Sequence, residues 1–147
     1  MTDHAGPTGL ELLQMFMTAP KDAPNIGNLL GFTYEKLEFG EVSFSIATRP
    51  DFANPLGSVH GGICATLLDS VMGCAVHSTL GPGIGYSTLE IKVNYIRTVP
   101  TDGRKLIGTG KVVHAGRSTA TAEGKVVDED GRLVAHASTT CLIHTPK

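Results

Sequence analysis

A chain of 147 residues is the length of one domain, 1–147, and is long enough to bury a core. Its formal net charge of −2, with no run of like charges, leaves no electrostatic footprint for nucleic acid. Three cysteines, Cys64, Cys74 and Cys141, are an odd number and read as reduced core residues of a cytoplasmic protein, not as a disulfide framework.

Residues 1–30 read as an N-terminal helix and connector. The opening Met-Thr-Asp-His-Ala-Gly lacks the basic and apolar regions of a signal peptide. Leu10, Leu13, Phe16 and Met17 fall at helical spacing, which predicts a short amphipathic helix over 9–17, closed by Ala19-Pro20 and packed on the domain as a lid. Asp22 to Leu30 is a Pro/Asn/Gly connector. Phe32–Phe39 and Glu41–Arg49 flank Gly40 as a half-buried hairpin, with Val42, Phe44 and Ile46 alternating against Ser43, Ser45 and Ala47. Pro50 to Ser58 is a loop. A long helix then runs to about Leu80, ended by Gly81-Pro82-Gly83. Strands are expected at Ser87–Arg97, Lys105–His114, Ser118–Asp128 and Leu133–Ile143. In the first, Leu89, Ile91, Val93 and Tyr95 alternate with Thr88, Glu90, Lys92 and Asn94. Turns at Thr101-Asp102-Gly103, Ala115-Gly116 and Asp130-Gly131 make these strands an antiparallel meander. One long apolar helix and one antiparallel sheet predict an α+β fold, with the sheet curled around a central helix.

The central helix carries an anomaly. From Phe52 to Leu89, Asp69 is the only side chain with a formal charge at neutral pH. The run after Gly62 is rich in Ala, Leu, Met and Val and apolar nearly all round, which predicts a buried helix. A lone buried carboxylate is costly unless paired, hydrogen-bonded or protonated, and burial of that kind tunes catalytic carboxylates. At the helix start, Val-His-Gly-Gly places two glycines where backbone N–H groups lack intrahelical partners and carry the positive end of the macrodipole. Glycine lets a ligand approach that backbone. An oxyanion donor and a carboxylate are two of the three parts of an acyl-transfer site. The plainer reading is an Asp bonded to Thr66 or Ser70, with glycines serving close packing.

Gly61 and Asp69 are eight residues apart, about 12 Å along a helix rising about 1.5 Å per residue. A reacting carbonyl needs each partner within about 3 Å. Two antiparallel copies of the helix across a twofold axis can bring Gly61 of one chain to Asp69 of the other. The chemistry therefore predicts a homodimer with two shared sites. The helix face holding Gly62, Ala65, Thr66, Asp69, Met72 and Gly73 is rich in small residues that permit such an approach.

The stretch Asn54-Pro55-Leu56-Gly57-Ser58-Val59-His60-Gly61-Gly62, with Asp69 nine residues after the histidine and Gly85-Tyr86-Ser87-Thr88 opening the next strand, resembles the hotdog-fold acyl-CoA thioesterases of the PaaI-like (phenylacetic acid degradation) branch. The likeness runs from about Phe32 to Ile143. It implies hydrolysis of an aromatic or medium-chain acyl-CoA, with coenzyme A arriving as part of the substrate and no bound cofactor. It implies dimers that often pair into tetramers. Asp69 would act as general base or nucleophile, Gly61 would polarise the carbonyl, and Asn54 would orient the water or the carbonyl, unless it only forms an Asx turn before Pro55. His60 is either a general base or a loop-fixing residue; the resemblance favours the second, with Ser87 as its neighbour. Gly62, Thr66, Met72 and Gly73 are expected to border the substrate, and the N-terminal helix could border the acyl pocket. Arg117 and Ser118, in the turn after His114, would contact the phosphates of coenzyme A, with Lys92, Arg97, Arg104 and Lys105 as weaker choices.

Other chemistries lack their signatures. The histidines and cysteines show no metal-ligand spacing, there is no Gly-x-Ser-x-Gly elbow, and Gly81-Pro-Gly-Ile-Gly85 precedes a strand and so is no nucleotide loop. The longest low-charge stretch holds Asp69, His60, His77 and many glycines, unlike a membrane span. Two alternatives share the fold: a hydratase or dehydratase, whose prolines around the histidine are absent here, and a non-catalytic acyl-CoA-binding module.

Overall fold

The computed structural model describes residues 5–147. Helix α1 (Gly9–Met17) starts at a capping box: Thr8 Oγ1 accepts the Glu11 N–H at 3.2 Å, and Glu11 Oε2 accepts the Thr8 N–H at 2.7 Å. The connector contains a helix that periodicity does not reveal, α2 (Ile26–Leu30). Five residues are too few to show a helical period, but its ends are specified. Asn25 caps it by accepting the Asn28 N–H at 2.8 Å, and Gly31 closes it in the left-handed region at φ 77°.

Strands β1 (Thr33–Glu38), β2 (Glu41–Ala47), β3 (Gly85–Tyr95), β4 (Lys105–Ala115), β5 (Thr119–Asp128) and β6 (Leu133–His144) form one antiparallel sheet in the order β1-β2-β4-β5-β6-β3. The hairpins at Gly40, Ala115-Gly116 and Asp130-Gly131 form as expected. The meander does not extend to β3, which pairs with β6 at the far edge. Thr101-Asp102-Gly103 closes no hairpin. It belongs to a crossing segment that the Gly103 N–H to Thr48 Oγ1 bond (3.1 Å) and the Thr48 N–H to Arg104 carbonyl bond (2.9 Å) tie to the end of β2.

The sheet curls around α3 (Gly61–His77), whose Cys64, Leu67, Leu68, Val71, Met72, Ala75 and Val76 are buried against Phe44, Ile46, Leu106, Val126 and Val134. Each fully buried large side chain contributes about 1.5–3 kcal/mol. Close approach depends on Gly110 of β4, where a Cβ would collide with the Val71 carbonyl and lie 2.6 Å from Met72 N. The helix is not buried on all sides, contrary to its composition. Gly62 and Asp69 are exposed and Thr66 is half-buried, so one strip of small and polar residues stays open beside β3.

That strip runs along an unpaired strand edge. β3 breaks its alternation between Thr88 and Glu90, where a bulge opposite Cys141 and Thr140 leaves Leu89 exposed. Thr88 is thereby turned toward α3, whereas simple alternation assigns it to the outer face.

Candidate active site

The start of α3 is held from several directions. His60 is its N-cap: its N–H donates to the Phe52 carbonyl at 2.8 Å and its carbonyl accepts the Ile63 N–H at 2.9 Å. The His60 ring accepts the Gly62 N–H through Nδ1 at 2.8 Å, which leaves the ring proton on Nε2. The Gly61 carbonyl accepts the Tyr95 hydroxyl at 2.8 Å, and Thr66 Oγ1 donates to the Gly62 carbonyl at 2.8 Å. The Gly61 N–H donates to no acceptor among the described residues. One free donor thus sits on the positive end of a 17-residue helix, with the groups around it fixed.

Asp69 lies on the same unbroken helix, so the rise of about 12 Å from Gly61 applies. Its carboxylate is exposed in the protomer, which corrects the expectation of a buried charge: one curled sheet does not cover this side of the helix. Neither Thr66 nor Ser70 holds it. Thr88 Oγ1 donates to Asp69 Oδ1 at 2.9 Å, through the side chain that the β3 bulge turns inward.

The other expected residues divide. Asn54 spends its amide on its own loop: Oδ1 accepts the N–H groups of Leu56 (2.9 Å) and Ser58 (3.2 Å), and Nδ2 donates to Ser58 Oγ at 3.0 Å. That is an Asx turn, and it sets the loop beside Gly61. Within the protomer Ser87 has His144, not His60, as its hydrogen-bond partner. It faces away from α3, with Oγ 2.6 Å from His144 Nε2, because it pairs with Leu142 on the outer side of the sheet. Met72 is fully buried under Gly124, and Tyr86 covers Gly73 closely enough that a Cβ there would lie 2.6 Å from its hydroxyl. Neither is open to a ligand in the protomer. Arg117 and Ser118 are exposed in the β4–β5 turn, and Arg117 forms no ion pair among the described residues. Of the weaker cations, Arg104 is paired with Asp102 at 2.9 Å, Lys105 with Glu35 at 2.6 Å, and Lys92 donates to Asn94 at 3.2 Å.

A cleft of about 250 Å³ opens at Gly61, lined by Asn54, Val59, Cys64, Tyr95 and Arg97 among others. The sequence gives Tyr95 and Thr88 places in a strand and a motif but no role at the site. Both lie on the helix-facing side of β3, and their partners on α3 are 34 and 19 positions away. Burial raises the Cys64 thiol to about 11, and burial with the nearby Asp69 charge raises Cys74 to about 12. These thiols are poor nucleophiles at neutral pH. What the site offers is a free backbone donor and a hydroxyl-oriented carboxylate, a pair suited to polarising a carbonyl and activating its attacker.

Residues 56–135 match the profile of the thioesterase superfamily. A protein of Halobacterium salinarum, described only provisionally as an esterase, is 31% identical over 132 residues, covering 86% of this chain and 83% of its own. A solved structure from Ralstonia eutropha, described as a provisional thioesterase and a phenylacetic acid degradation-related protein, matches at TM-score 0.78 and 29% identity, over 88% of this chain and 97% of that one. A Streptococcus mutans protein solved with acetyl-CoA bound matches at TM-score 0.72 and 28% identity, over 79% of this chain and 90% of that one. The sheet curled on one long helix is the hotdog arrangement, and the likeness is to its PaaI-like branch. Among the described residues no helix is long and apolar enough to cross a membrane.

Proposed function

Because the chain belongs to the thioesterase superfamily, we propose that it hydrolyses acyl-CoA thioesters with an aromatic or medium-chain acyl group. The observation that carries this reading is the free Gly61 N–H at the fixed start of α3, on the same helix as the Thr88-oriented Asp69 carboxylate. The Gly61 N–H donates a hydrogen bond to the thioester oxygen as negative charge develops on it. Asp69 takes a proton from water as the water oxygen bonds to the carbonyl carbon. The carbon–sulfur bond then breaks, and coenzyme A leaves as a thiolate that picks up a proton. In the nucleophilic variant, Asp69 displaces the thiolate to form a mixed anhydride, which water opens. No resident cofactor enters either route.

The site is shared between two chains in this reading. Gly61 and Asp69 stand too far apart on one helix to meet one carbonyl. The open strip of α3 lies beside the unpaired edge of β3, where Leu89, Tyr95 and Ile96 are exposed. A second copy adding to that edge covers this surface and brings its own Asp69 to Gly61. Pairing of dimers into tetramers follows from the family resemblance. The acetyl-CoA held by the Streptococcus mutans neighbour supports a coenzyme A thioester as substrate, and the exposed Arg117 and Ser118 are proposed phosphate contacts. The test is release of free thiol from a panel of aromatic, short-, medium- and long-chain acyl-CoAs. Turnover is expected with aromatic or medium chains. Tight acyl-CoA binding without thiol release would replace this reading with a binding module.

A further inference from the structure

We infer that Tyr95 is a positioning residue that holds the donor at Gly61 in its working geometry. The inference rests on the thioester-hydrolase reading, since it assigns Tyr95 a part in that turnover. It starts from a weakness in the chain. Two consecutive glycines open α3, and glycine has the widest backbone freedom, so a His-Gly-Gly segment left to itself samples many orientations of its N–H groups. A donor that must reorient during reaction gives up much of its electrostatic benefit.

The structure removes that freedom at one peptide unit. The peptide joining Gly61 to Gly62 is gripped at both ends. Its N–H donates to His60 Nδ1 at 2.8 Å, and its carbonyl accepts the Tyr95 hydroxyl at 2.8 Å. The preceding peptide carries the free Gly61 N–H. Its own carbonyl accepts the Ile63 N–H at 2.9 Å. With both planes held, the Gly61 N–H is left without an acceptor among the described residues. His60 supplies one grip from within the helix cap. Tyr95 supplies the other from β3, so it also fixes the helix start relative to the sheet.

The Tyr95 ring packs closely on Gly61. A Cβ there would lie 3.0 Å from Tyr95 Cζ and 3.1 Å from both Cε1 and the hydroxyl oxygen. The ring therefore lies against the bare Cα, and Tyr95, a residue left 54% exposed, lines the cleft. Burial first, and then the Cys64 thiol, hold the phenol above its usual range. The hydroxyl thus remains a donor across neutral and mildly alkaline pH.

The test is Tyr95→Phe, which keeps the ring and deletes the hydroxyl. Expected are a kcat lower by about five- to tenfold across the acyl-CoA panel, the effect of one neutral hydrogen bond, a KM within about twofold, and a melting temperature within a few degrees. The ¹³C resonance of the Gly61 carbonyl reads the bond itself and should move upfield in the variant. A kcat unchanged within about twofold, an unmoved Gly61 carbonyl, or a loss confined to KM overturns the assignment. So does a loss that tracks the unfolded fraction. Wild-type turnover separates the two claims. If the wild type hydrolyses no acyl thioester, the proposed function fails and the role of Tyr95 in turnover falls with it. If the wild type is active and Tyr95→Phe matches it, only the Tyr95 assignment fails.

Discussion

Replacing Asp69 by Asn removes a proton acceptor and leaves almost everything else in place. Asp69 Oδ1 accepts one bond, from Thr88 Oγ1 at 2.9 Å, and the amide oxygen of Asn can accept the same bond. The carboxylate is exposed and forms no ion pair among the described residues, so its loss should change protomer stability by only about 0.5 kcal/mol. Removing a general base or nucleophile costs about 10²–10⁴ in rate, or about 2.7–5.4 kcal/mol of barrier. The expected result is a folded protein with kcat down at least a hundredfold and KM changed little. Coenzyme A release can be followed with a thiol reagent, because Cys64 and Cys141 are buried and burial pushes the Cys64 and Cys74 thiols up to about 11 and about 12. A folded Asp69→Asn variant with kcat within about fivefold of the wild type would show that Asp69 neither activates water nor attacks the thioester.

Three further outcomes are expected. Mixing an inactive Asp69→Asn chain with an inactive but folded Gly61→Pro chain, which lacks the free N–H, should restore activity at one of the two sites of each mixed dimer; proven subunit exchange without restored activity rules out the shared site. Gly110→Ala should cost about 3 kcal/mol or more in urea unfolding, because its Cβ meets the α3 backbone at Val71 and Met72, not a movable side chain, and a loss under about 1 kcal/mol would refute that packing. Asp128 is almost buried, which works against its ionisation. The Arg132 N–H (2.9 Å), its guanidinium (2.9 Å) and the Asp130 N–H (3.0 Å) outweigh burial and hold the carboxyl below its usual range. A folded-state value below the unfolded one, about 3.9, adds stability above that pH and loses it as pH falls further toward the folded value. Melting temperature should therefore drop below about pH 4, and Asp128→Asn should flatten that drop; an equally steep fall in the variant would count against it.

Local grammar carried much of the fold. Thr8 and Glu11 specify where α1 begins, and the alternation of Val42, Phe44 and Ile46 marks β2 as a strand, but not that Ser43 and Ser45 on its other face are buried as well. The spacing from His60 through Gly61 to Asp69 placed a donor and an acid on one helix because helical rise is the same in every protein. Partner choice was not legible. A turn such as Thr101-Asp102-Gly103 encodes a chain reversal but not which strands pair, so β3 was free to cross the sheet and join β6. Apolar composition shows that α3 needs cover, but not which of its sides a single sheet can reach, and Asp69 falls on the side left open.

What the sequence determines here is therefore local: caps, periodicity, turns and the distance between two groups on one helix, each set by neighbours within a few residues. What the tertiary structure alone decides is which way side chains face once strands pair. The Leu89 bulge turns Thr88 to Asp69, Ser87 goes to the outer face beside His144, and Tyr95 comes to rest on a glycine 34 positions earlier. A one-residue shift in a strand reverses every side chain beyond it, and no local signal marks it, because it arises from fitting a curled sheet to a helix.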